Sequence, residues 1–445
     1  MTDRQVNDVS QFAVKSHDAT KDVQKTVTPR TSSPGDRRAR LLAKTQERIA
    51  SEEKIVLDWL RNQPDYRPSL AYFLELLSDR RIAAIESRCQ RKAIRLLCNQ
   101  IPLELILAAG FQPFKVVSGS SAEASYSAHN WPALMCPLIK GILTALELDP
   151  DLAQGAWVAP TSCDWVVKFW EARQRVMAGT GQIQWLELPH LKNRPESQKR
   201  WLEEVRAFHR YLEKLKGGKI ARQALIQSIE AINRAWTAII SLKKARRDGR
   251  LSLGWFLAIM GAFFLDRLER WTSQVESLVL ELEREPTGGE VFGARVFLAG
   301  SPIFFPNFKA PILLETAGLK VVADDLCSSE RIFPGGQVFE DVSEYGLLAS
   351  LAGRYHQGCL CPTFGDNERR VNNILSQRRE SSFQGVVFVV LKGCHPYDLE
   401  STTIEETLKN YGLRFLRLET DYAPEDRQNL LTRLEAFGHS LSGVR

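Results

Sequence analysis

Several apolar runs in this chain are typical of buried β-strands, and each ends in a polar turn that carries a cysteine. The cysteines that follow such runs are Cys163, after 157–159, Cys327, after 320–323, and Cys394, after 386–391. Continuous apolar runs separated by helical stretches predict the buried parallel strands of an α/β protein. In open α/β sheets, ligands bind in the crevice outside the carboxyl ends of the strands. The sequence therefore predicts that thiols line a binding site.

The spacing of apolar residues divides the chain into five predicted parts. They are a disordered tail at 1–40, a helical lead-in at 41–97, a first α/β lobe at 98–189, a helical segment at 190–290 and a second α/β lobe at 291–445. Two α/β units separated by helices imply a deep cleft between the lobes. The predicted fold class is therefore α/β.

Individual elements follow from local signals. A further strand is predicted at 114–117 in the first lobe, and others at 295–299 and 413–418 in the second. Pro137 predicts the start of a helix with Cys136 at its N-cap, where the helix dipole would lower the pKa of the thiol. The apolar run 251–265 is shorter than the roughly 20 residues of a membrane-spanning helix and predicts a buried core helix.

Composition limits the classes of function. The first 50 residues are polar and contain no apolar export signal, so we expect a cytoplasmic protein whose eight cysteines are reduced. Reduced thiols favour metal or redox chemistry over a disulfide framework. The net charge of +6 lies mostly in residues 1–50, and no recognised nucleic-acid-binding motif accompanies it. We therefore expect neither nucleic-acid binding nor a membrane segment.

The cysteines differ in their surroundings. Six lie in loops or at strand ends and are candidate ligands of an iron–sulfur or other soft-metal cluster: Cys136, Cys163, Cys327, Cys359, Cys361 and Cys394. For any one of them, the alternative is that the cysteine only fills space in the core as a small apolar side chain. Cys89 and Cys98 lie in apolar runs with helical spacing, and we interpret both as fillers whose replacement leaves iron content unchanged. No Cys-x-x-Cys pair is present, so a zinc ribbon is not predicted.

As a set, the motifs of residues 95–440 resemble the 2-hydroxyacyl-CoA dehydratase and benzoyl-CoA reductase family of iron–sulfur proteins. They occur in the family's order: Ile101-Pro102-x-Glu104, Cys136-Pro137-x-x-Lys140, Thr161-x-Cys163-Asp164, Gly300-Ser301-Pro302, Asp324-Asp325-x-Cys327, Cys359-x-Cys361-Pro362, Lys392-x-Cys394-x-x-Tyr397-x-x-Glu400 and Leu418-Glu419-x-Asp421-Tyr422. The resemblance implies two Rossmann-like lobes with the helical segment between them and a cluster in the cleft.

The same resemblance implies a ligand set and a partner. Dehydratase subunits hold one [4Fe–4S] cluster on three cysteines, which correspond here to Cys136, Cys163 and Cys394. Another branch holds a double-cubane cluster on six cysteines, and this chain has the further thiols Cys327, Cys359 and Cys361. Family members receive electrons from an ATP-hydrolysing iron–sulfur activator protein. This sequence has no Gly-x-x-x-x-Gly-Lys-Ser/Thr loop, so we expect ATP hydrolysis to belong to that partner.

Three functions remain open at this point. The first is an iron–sulfur reductase that accepts low-potential electrons from the activator and reduces a small substrate at a double-cubane cluster. The second is a 2-hydroxyacyl-CoA dehydratase or benzoyl-CoA reductase subunit with a single [4Fe–4S] cluster and an acyl-CoA substrate. The third is a non-catalytic electron-storage protein. We expect a homodimer or a dimer with a related subunit, with 190–285 as the candidate association face.

No catalytic residue is fixed by the sequence, and three are weak candidates. His129 and His395 are possible proton donors near the cysteines, although a loop histidine bonded to backbone is the alternative for both. Ser301 is a possible hydrogen-bond donor to a substrate or a sulfide. Three lysines near predicted ligands, Lys140, Lys168 and Lys392, either raise the potential of a cluster or are ordinary solvated side chains.

Overall fold

The computed structural model describes residues 34–127, 131–176, 182–285, 293–336, 338–365 and 368–442. The chain divides into a unit of residues 1–41 and a unit of residues 42–445, and the second contains every strand. Most of the predicted tail lies outside the described residues, and helix α1 begins at Pro34. The predicted domain boundaries stay predictions.

The first lobe contains a sheet of four parallel strands in the order β2-β1-β3-β4. The strands are β1 Ala93–Leu96, β2 Gln112–Lys115, β3 Trp157–Pro160 and β4 Ile183–Leu186. The helices of this part are α1 Pro34–Arg61, α2 Ala71–Ser78, α3 Ile82–Cys89, α4 Leu103–Ala108, α5 Ser121–Ser127, α6 Pro137–Leu148, α7 Pro150–Ala153 and α8 Asp164–Val176.

The second lobe repeats this topology with the order β6-β5-β7-β8, again all parallel. Its strands are β5 Ala294–Gly300, β6 Leu319–Asp324, β7 Gly385–Leu391 and β8 Arg414–Thr420. The helices are α13 Lys309–Thr316, α14 Glu344–Gln357, α15 Glu368–Ser381, α16 His395–Asn410 and α17 Arg427–Ser442. In each sheet the chain order reverses beside the first strand, and such switch points are where α/β sheets bind ligands.

Four helices lie between the two sheets in sequence: α9 Pro195–Lys216, α10 Arg222–Arg247, α11 Leu253–Gly261 and α12 Leu268–Arg284. Helix α11 is buried along its length except at Gly261, as expected for a core helix. Helices α10 and α12 pack against each other through apolar faces. Across the described ranges, no helix is long and apolar enough to span a membrane.

The predicted α/β fold class is confirmed, whereas two strands differ from the sequence-based prediction. Strand β1 lies at the end of the predicted helical lead-in. It accommodates the buried Arg95 because the guanidinium donates hydrogen bonds to the carbonyl oxygens of Ala93 and Asp151, each at 2.9 Å. Strand β4 was not predicted, and it is only half-buried at the edge of its sheet. The first sheet consequently begins before residue 98.

Candidate metal centre

Three of the predicted ligands share one local structure, in which a cysteine immediately precedes a helix. Cys136 precedes α6, Cys163 precedes α8 and Cys394 precedes α16. The carbonyl oxygen of each accepts a backbone hydrogen bond of 3.1 Å from the residue four positions later. We call them the helix-start cysteines. Each thiol therefore lies at the positive end of a helix, where an anionic ligand is stabilised.

Direct contacts bring the three helix starts together. The indole Nε1 of Trp165, two residues after Cys163, donates a hydrogen bond of 2.8 Å to the carbonyl oxygen of Gly393. Gly393 immediately precedes Cys394 and has a φ of +80°. A Cβ at Gly393 would lie 2.1 Å from the carbonyl oxygen of Leu134, two residues before Cys136. The three turns are therefore packed on one another, and only glycine fits at position 393.

Burial dominates the acidity of these thiols in the metal-free chain. Desolvation raises the pKa of Cys136 to about 11, although the backbone amides of Ile139 and Leu138 lower it. Burial and then the neighbouring Cys394 thiol raise the pKa of Cys163 to about 12. The pKa of Cys394 is also raised to about 12, by burial and then by Cys136. The amides at the helix start therefore lower the pKa of Cys136 as predicted, but desolvation exceeds this effect and the net pKa is raised.

The other predicted ligands lie in loops. Cys327 follows β6, whereas Cys359 and Cys361 follow α14, and we call these three the loop cysteines. The side-chain amide of Gln100 donates to the Cys359 Sγ at 3.4 Å, and the Thr363 hydroxyl donates to the Cys361 Sγ at 3.3 Å. None of the three immediately precedes a helix, so their thiols are positioned by side chains rather than by helix starts.

Cys98 belongs to the same neighbourhood, and the predicted helical setting is wrong, whereas its interpretation as a filler stays a prediction. It follows β1 at the carboxyl edge of the first sheet. Burial and then the thiols of Cys361 and Cys327 raise its pKa, to about 12. The adjacent Asn99 donates a hydrogen bond of 2.5 Å to the carbonyl oxygen of Cys327. Cys89, in contrast, is buried at the end of α3, as expected for a filler.

The two groups of cysteines adjoin each other. The Cys163 thiol interacts electrostatically with that of Cys361, and the Cys394 thiol with that of Cys327. All eight cysteines are free thiols. Within the described ranges, no three Cys, His, Asp or Glu side chains converge closely enough to hold a single ion. The ligands of a cluster bind different iron atoms and are further apart than those of one ion, so an all-thiol set that is buried or partly buried fits a cluster better than a zinc site.

Charged residues of the motifs position the loops that carry the cysteines. Glu104 of α4 is fully buried and binds the Arg354 guanidinium, and its carboxylate accepts a hydrogen bond of 3.0 Å from the Tyr355 hydroxyl. Arg354 and Tyr355 lie in the last turn of α14, directly before the loop of Cys359. The Ile101-Pro102-x-Glu104 segment therefore supports the end of α14, which leads into the loop of Cys359 and Cys361.

A second buried network fixes the turns of Cys327 and Cys394. The Arg370 guanidinium donates to both carboxylate oxygens of Asp325, at 2.7 and 3.2 Å, and also to Glu400. Arg331 donates a hydrogen bond of 2.9 Å to the Tyr397 hydroxyl and others to the carbonyl oxygens of Asp325 and Leu360. These bonds connect the turn after β6, the cysteine loop after α14 and the first turns of α16.

The weak catalytic candidates differ in position. Ser301 is fully buried after β5, where its Oγ accepts a hydrogen bond of 3.0 Å from the Leu391 amide and lies within hydrogen-bond reach of the Cys394 thiol. His395 is exposed and stacks on Trp165, with ring centroids 6.5 Å apart. His129 lies outside the described residues. The structure thus places Ser301 and His395 beside Cys394.

Only one of the three predicted lysines is buried beside a cysteine. Lys140 interacts electrostatically with Cys136, and its ammonium group donates a hydrogen bond of 2.8 Å to the Ala133 carbonyl oxygen. Lys168 is exposed and pairs with Glu171, and Lys392 pairs with Asp421. The sequence-based reasoning missed Lys115, the last residue of β2, which is buried and interacts electrostatically with Cys327, Cys98 and Cys361. The sequence carries no local signal for its burial, because a lysine at the end of a strand is usually solvated.

The chain is similar to known enzyme subunits over most of its length. Residues 98–441 match the profile of the 2-hydroxyglutaryl-CoA dehydratase D-component. The chain is 25% identical over 356 residues to the putative dehydratase subunit YjiM of Escherichia coli, covering 76% of this chain and 89% of that protein. It is 25% identical over 359 residues to the (R)-phenyllactyl-CoA dehydratase beta subunit of Clostridium sporogenes, covering 79% and 92%.

A further relative is the lactoyl-CoA dehydratase beta subunit of Anaerotignum propionicum, at 22% identity over 355 residues, which cover 78% of this chain and 90% of that protein. The profile match extends from Cys98 to Leu441 and so includes every candidate ligand. It also includes both four-stranded sheets except β1. The chain therefore belongs to the 2-hydroxyglutaryl-CoA dehydratase D-component family, a family of enzyme subunits.

Proposed function

We propose that the chain is the iron–sulfur subunit of a reductase that takes low-potential electrons from a separate ATP-hydrolysing activator and reduces a small substrate. Cys136, Cys163 and Cys394 would hold one cubane, and the loop cysteines would hold the second cubane of a double-cubane cluster. The observation that carries the proposal is that Arg331 joins the turns of both cysteine groups, because its guanidinium donates to the carbonyl oxygens of Asp325 and Leu360, beside the loop cysteines, and to the hydroxyl of Tyr397, three residues after Cys394.

The surroundings of the thiols suit such a cluster. When bound, a cluster of this kind stores and transfers electrons at low potential. The three helix starts direct backbone amides towards the helix-start cysteines and so favour their thiolate forms. Lys115 and Arg331 supply positive charge next to Cys327 and Cys361. These groups offset the negative charge that several thiolates would bring into a buried site.

A second candidate function is favoured by the relatives. Two of them are named as beta subunits of 2-hydroxyacyl-CoA dehydratases, and the alignments cover about nine-tenths of their lengths. On this alternative the chain holds a single [4Fe–4S] cluster on the helix-start cysteines and works with a related subunit on an acyl-CoA substrate. The loop cysteines would then be free thiols beside the cluster.

Counting iron separates the two candidates. The full chain is purified under anaerobic conditions, and its iron and acid-labile sulfide are measured per polypeptide. The double-cubane proposal expects about eight iron atoms per chain, whereas a single cubane gives about four. Replacement of Cys327 or Cys361 by serine should then lower the iron content by about half or more in the first case. Unchanged iron in both variants would contradict the double-cubane proposal and support the dehydratase alternative.

The partner is tested by turnover. Because the sequence has no phosphate-binding loop, the purified chain should neither hydrolyse ATP nor turn over with ATP and reductant alone. Addition of an iron–sulfur activator ATPase should start both ATP hydrolysis and substrate reduction. Turnover by the isolated chain with a mild reductant would overturn the assignment and indicate a simple electron carrier.

A further inference from the structure

A cavity of about 330 Å³ lies beside Cys327 at the carboxyl edge of the first sheet. Its walls are mostly apolar and come from several elements; among its lining residues are Leu77, Phe114, Leu257, Met260, Phe264 and Phe304. Cys327 lines the cavity, whereas none of the helix-start cysteines does. Concave cavities of this size at a strand edge, with apolar walls and several charged side chains, are typical binding sites for small molecules.

Lys115 is the distinctive charge of this cavity. Its side chain is only 8% exposed, and its ammonium group lies 4.9 Å from the centre of the Phe304 ring. Among the residues that the structure describes, its ammonium group has neither a carboxylate partner nor a hydrogen-bond acceptor. A buried ammonium group without such partners is costly unless an anion compensates it.

The other charged side chains that line the described part of the cavity have polar partners of their own. Arg80 pairs with Glu53, Arg81 pairs with Asp79, Glu123 accepts a hydrogen bond from Ser118, and Asp149 accepts hydrogen bonds from the backbone amides of Asp151 and Leu152. Lys115 is therefore the buried cationic group of the described cavity lining that has no carboxylate partner.

We infer that this cavity binds a small monocarboxylate with an aliphatic body, whose carboxylate pairs with Lys115 and whose body lies against the apolar walls. The inference rests on the cavity and on Lys115 and does not require the proposed cluster. Because Cys327 also lines the cavity, a bound carboxylate would lie next to the loop cysteines. Lys115 is thus assigned as a ligand-binding residue.

The test is calorimetric titration of hexanoate into the full-length protein, with hexan-1-ol as a neutral probe of the same length. Hexanoate should bind saturably at one site and about tenfold or more tightly than hexan-1-ol, since a charge-assisted hydrogen bond discriminates by roughly that factor. Lys115→Gln should weaken hexanoate binding by about the same factor. Lys115→Arg, which keeps the charge, should restore most of the affinity.

A matched control is Lys309→Gln. Lys309 is equally buried, but it pairs with Asp426 and does not line the cavity, so hexanoate affinity should stay unchanged. Equal binding of hexanoate and hexan-1-ol, or unchanged hexanoate affinity in Lys115→Gln, would overturn the inference and leave Lys115 as a counter-charge for the thiols. If Lys115→Gln fails to fold, the comparison of the two probes in the unchanged protein still decides the question.

Discussion

The two sheets have the same strand order, yet their carboxyl edges carry different chemistry. In the first lobe, Cys98 follows the central strand β1, Lys115 ends β2 and Cys163 follows β3. In the second lobe, Ser301 follows the central strand β5, and Cys394 follows β7. The two lobes are therefore alike in having a cysteine and a helix start after their third strands. The lobes differ at the strands on the other side of each switch point, which are β1 and β2 in the first lobe and β5 and β6 in the second.

The difference lies in how charge is compensated. In the second lobe the acidic residues at the end of β6 are neutralised by buried arginines: Arg246 binds Asp324, the last residue of the strand, and Arg370 binds Asp325, the residue that follows it. In the first lobe, Lys115 has no such partner and borders a cavity. Buried ion pairs at the edge of the second sheet hold the cysteine-bearing turns in place. At the edge of the first sheet, Lys115 has no carboxylate partner among the described residues and is available to a ligand. The comparison indicates that one lobe mainly holds the site together and the other admits a ligand.

The largest expected effect tests the likeness of the two lobes. Cys163→Ser and Cys394→Ser should each remove most of the bound iron, because each replaces a proposed thiolate ligand at an equivalent helix start. Iron and sulfide analysis of anaerobically purified variants gives the measurement. Cys89→Ser is the matched control, since Cys89 is a buried cysteine in α3 and should leave iron content unchanged. Retention of full iron by either ligand variant would show that the lobes do not contribute alike.

The next effect concerns the ion pairs of the second edge. Arg370→Met should destabilise the fold by about 3–5 kcal/mol, because it leaves the fully buried Asp325 carboxylate without its bidentate cation. Denaturant unfolding of the purified variant measures the change. The first-lobe control is Arg95→Met: Arg95 is similarly buried but bonds mainly to carbonyl oxygens, so its loss should be smaller. Equal losses would contradict the distinction between the two edges.

The sequence predicted the second sheet better than the first, for reasons visible in the strands. Strands β5, β6 and β7 contain continuous apolar stretches, β8 alternates apolar and charged residues, and all four lie within a residue or two of their predicted limits. Strand β1 has only four residues and includes Arg95, so its pattern resembles a helix face. Its misassignment also placed Cys98 in a helix. Short strands with a buried charge depend on tertiary hydrogen bonds that local spacing does not reveal.

The same limit applies to the candidate site. The helix-start cysteines were identifiable because each lies after a predicted strand or just before a proline. Pro137 and Pro396 mark two of the helix starts. Lys115 was not identifiable, because a lysine at a strand end is usually solvated and only packing against Phe304 and the cysteine loops makes it buried. Whether a buried charge has a partner depends on which residues the fold brings close to it, and the spacing of residues in the sequence does not show this.

A smaller, pH-dependent effect is expected at Glu123, which also lines the first-lobe cavity. Burial raises the pKa of its carboxyl group to about 7, against 4.5 unperturbed. The folded state therefore binds more protons than the unfolded state between about pH 4.5 and 7, and stability falls as the pH rises through that window. Glu123→Gln should remove this loss and be about 3 kcal/mol more stable relative to the unchanged protein at pH 8 than at pH 4.5.

Urea unfolding at both pH values measures this difference. Glu435→Gln, at an exposed glutamate of α17, is the control and should show no such pH-dependent change. A difference that stays constant between the two pH values would show that the Glu123 carboxyl is not held neutral by its surroundings.

The smallest expected effect is at Cys98, the first-lobe residue that most directly contrasts with Ser301. Cys98→Ser gives the first lobe the hydroxyl that the second lobe already has after its central strand. Six other cysteines suffice for the proposed cluster, so iron and sulfide content should be unchanged. The Cys98 thiol nevertheless lies beside those of Cys327 and Cys361, so its replacement should alter the visible and electron paramagnetic resonance spectra of the cluster. Loss of iron in Cys98→Ser, with Cys89→Ser unaffected, would instead place Cys98 among the ligands and make the two central strands functionally different.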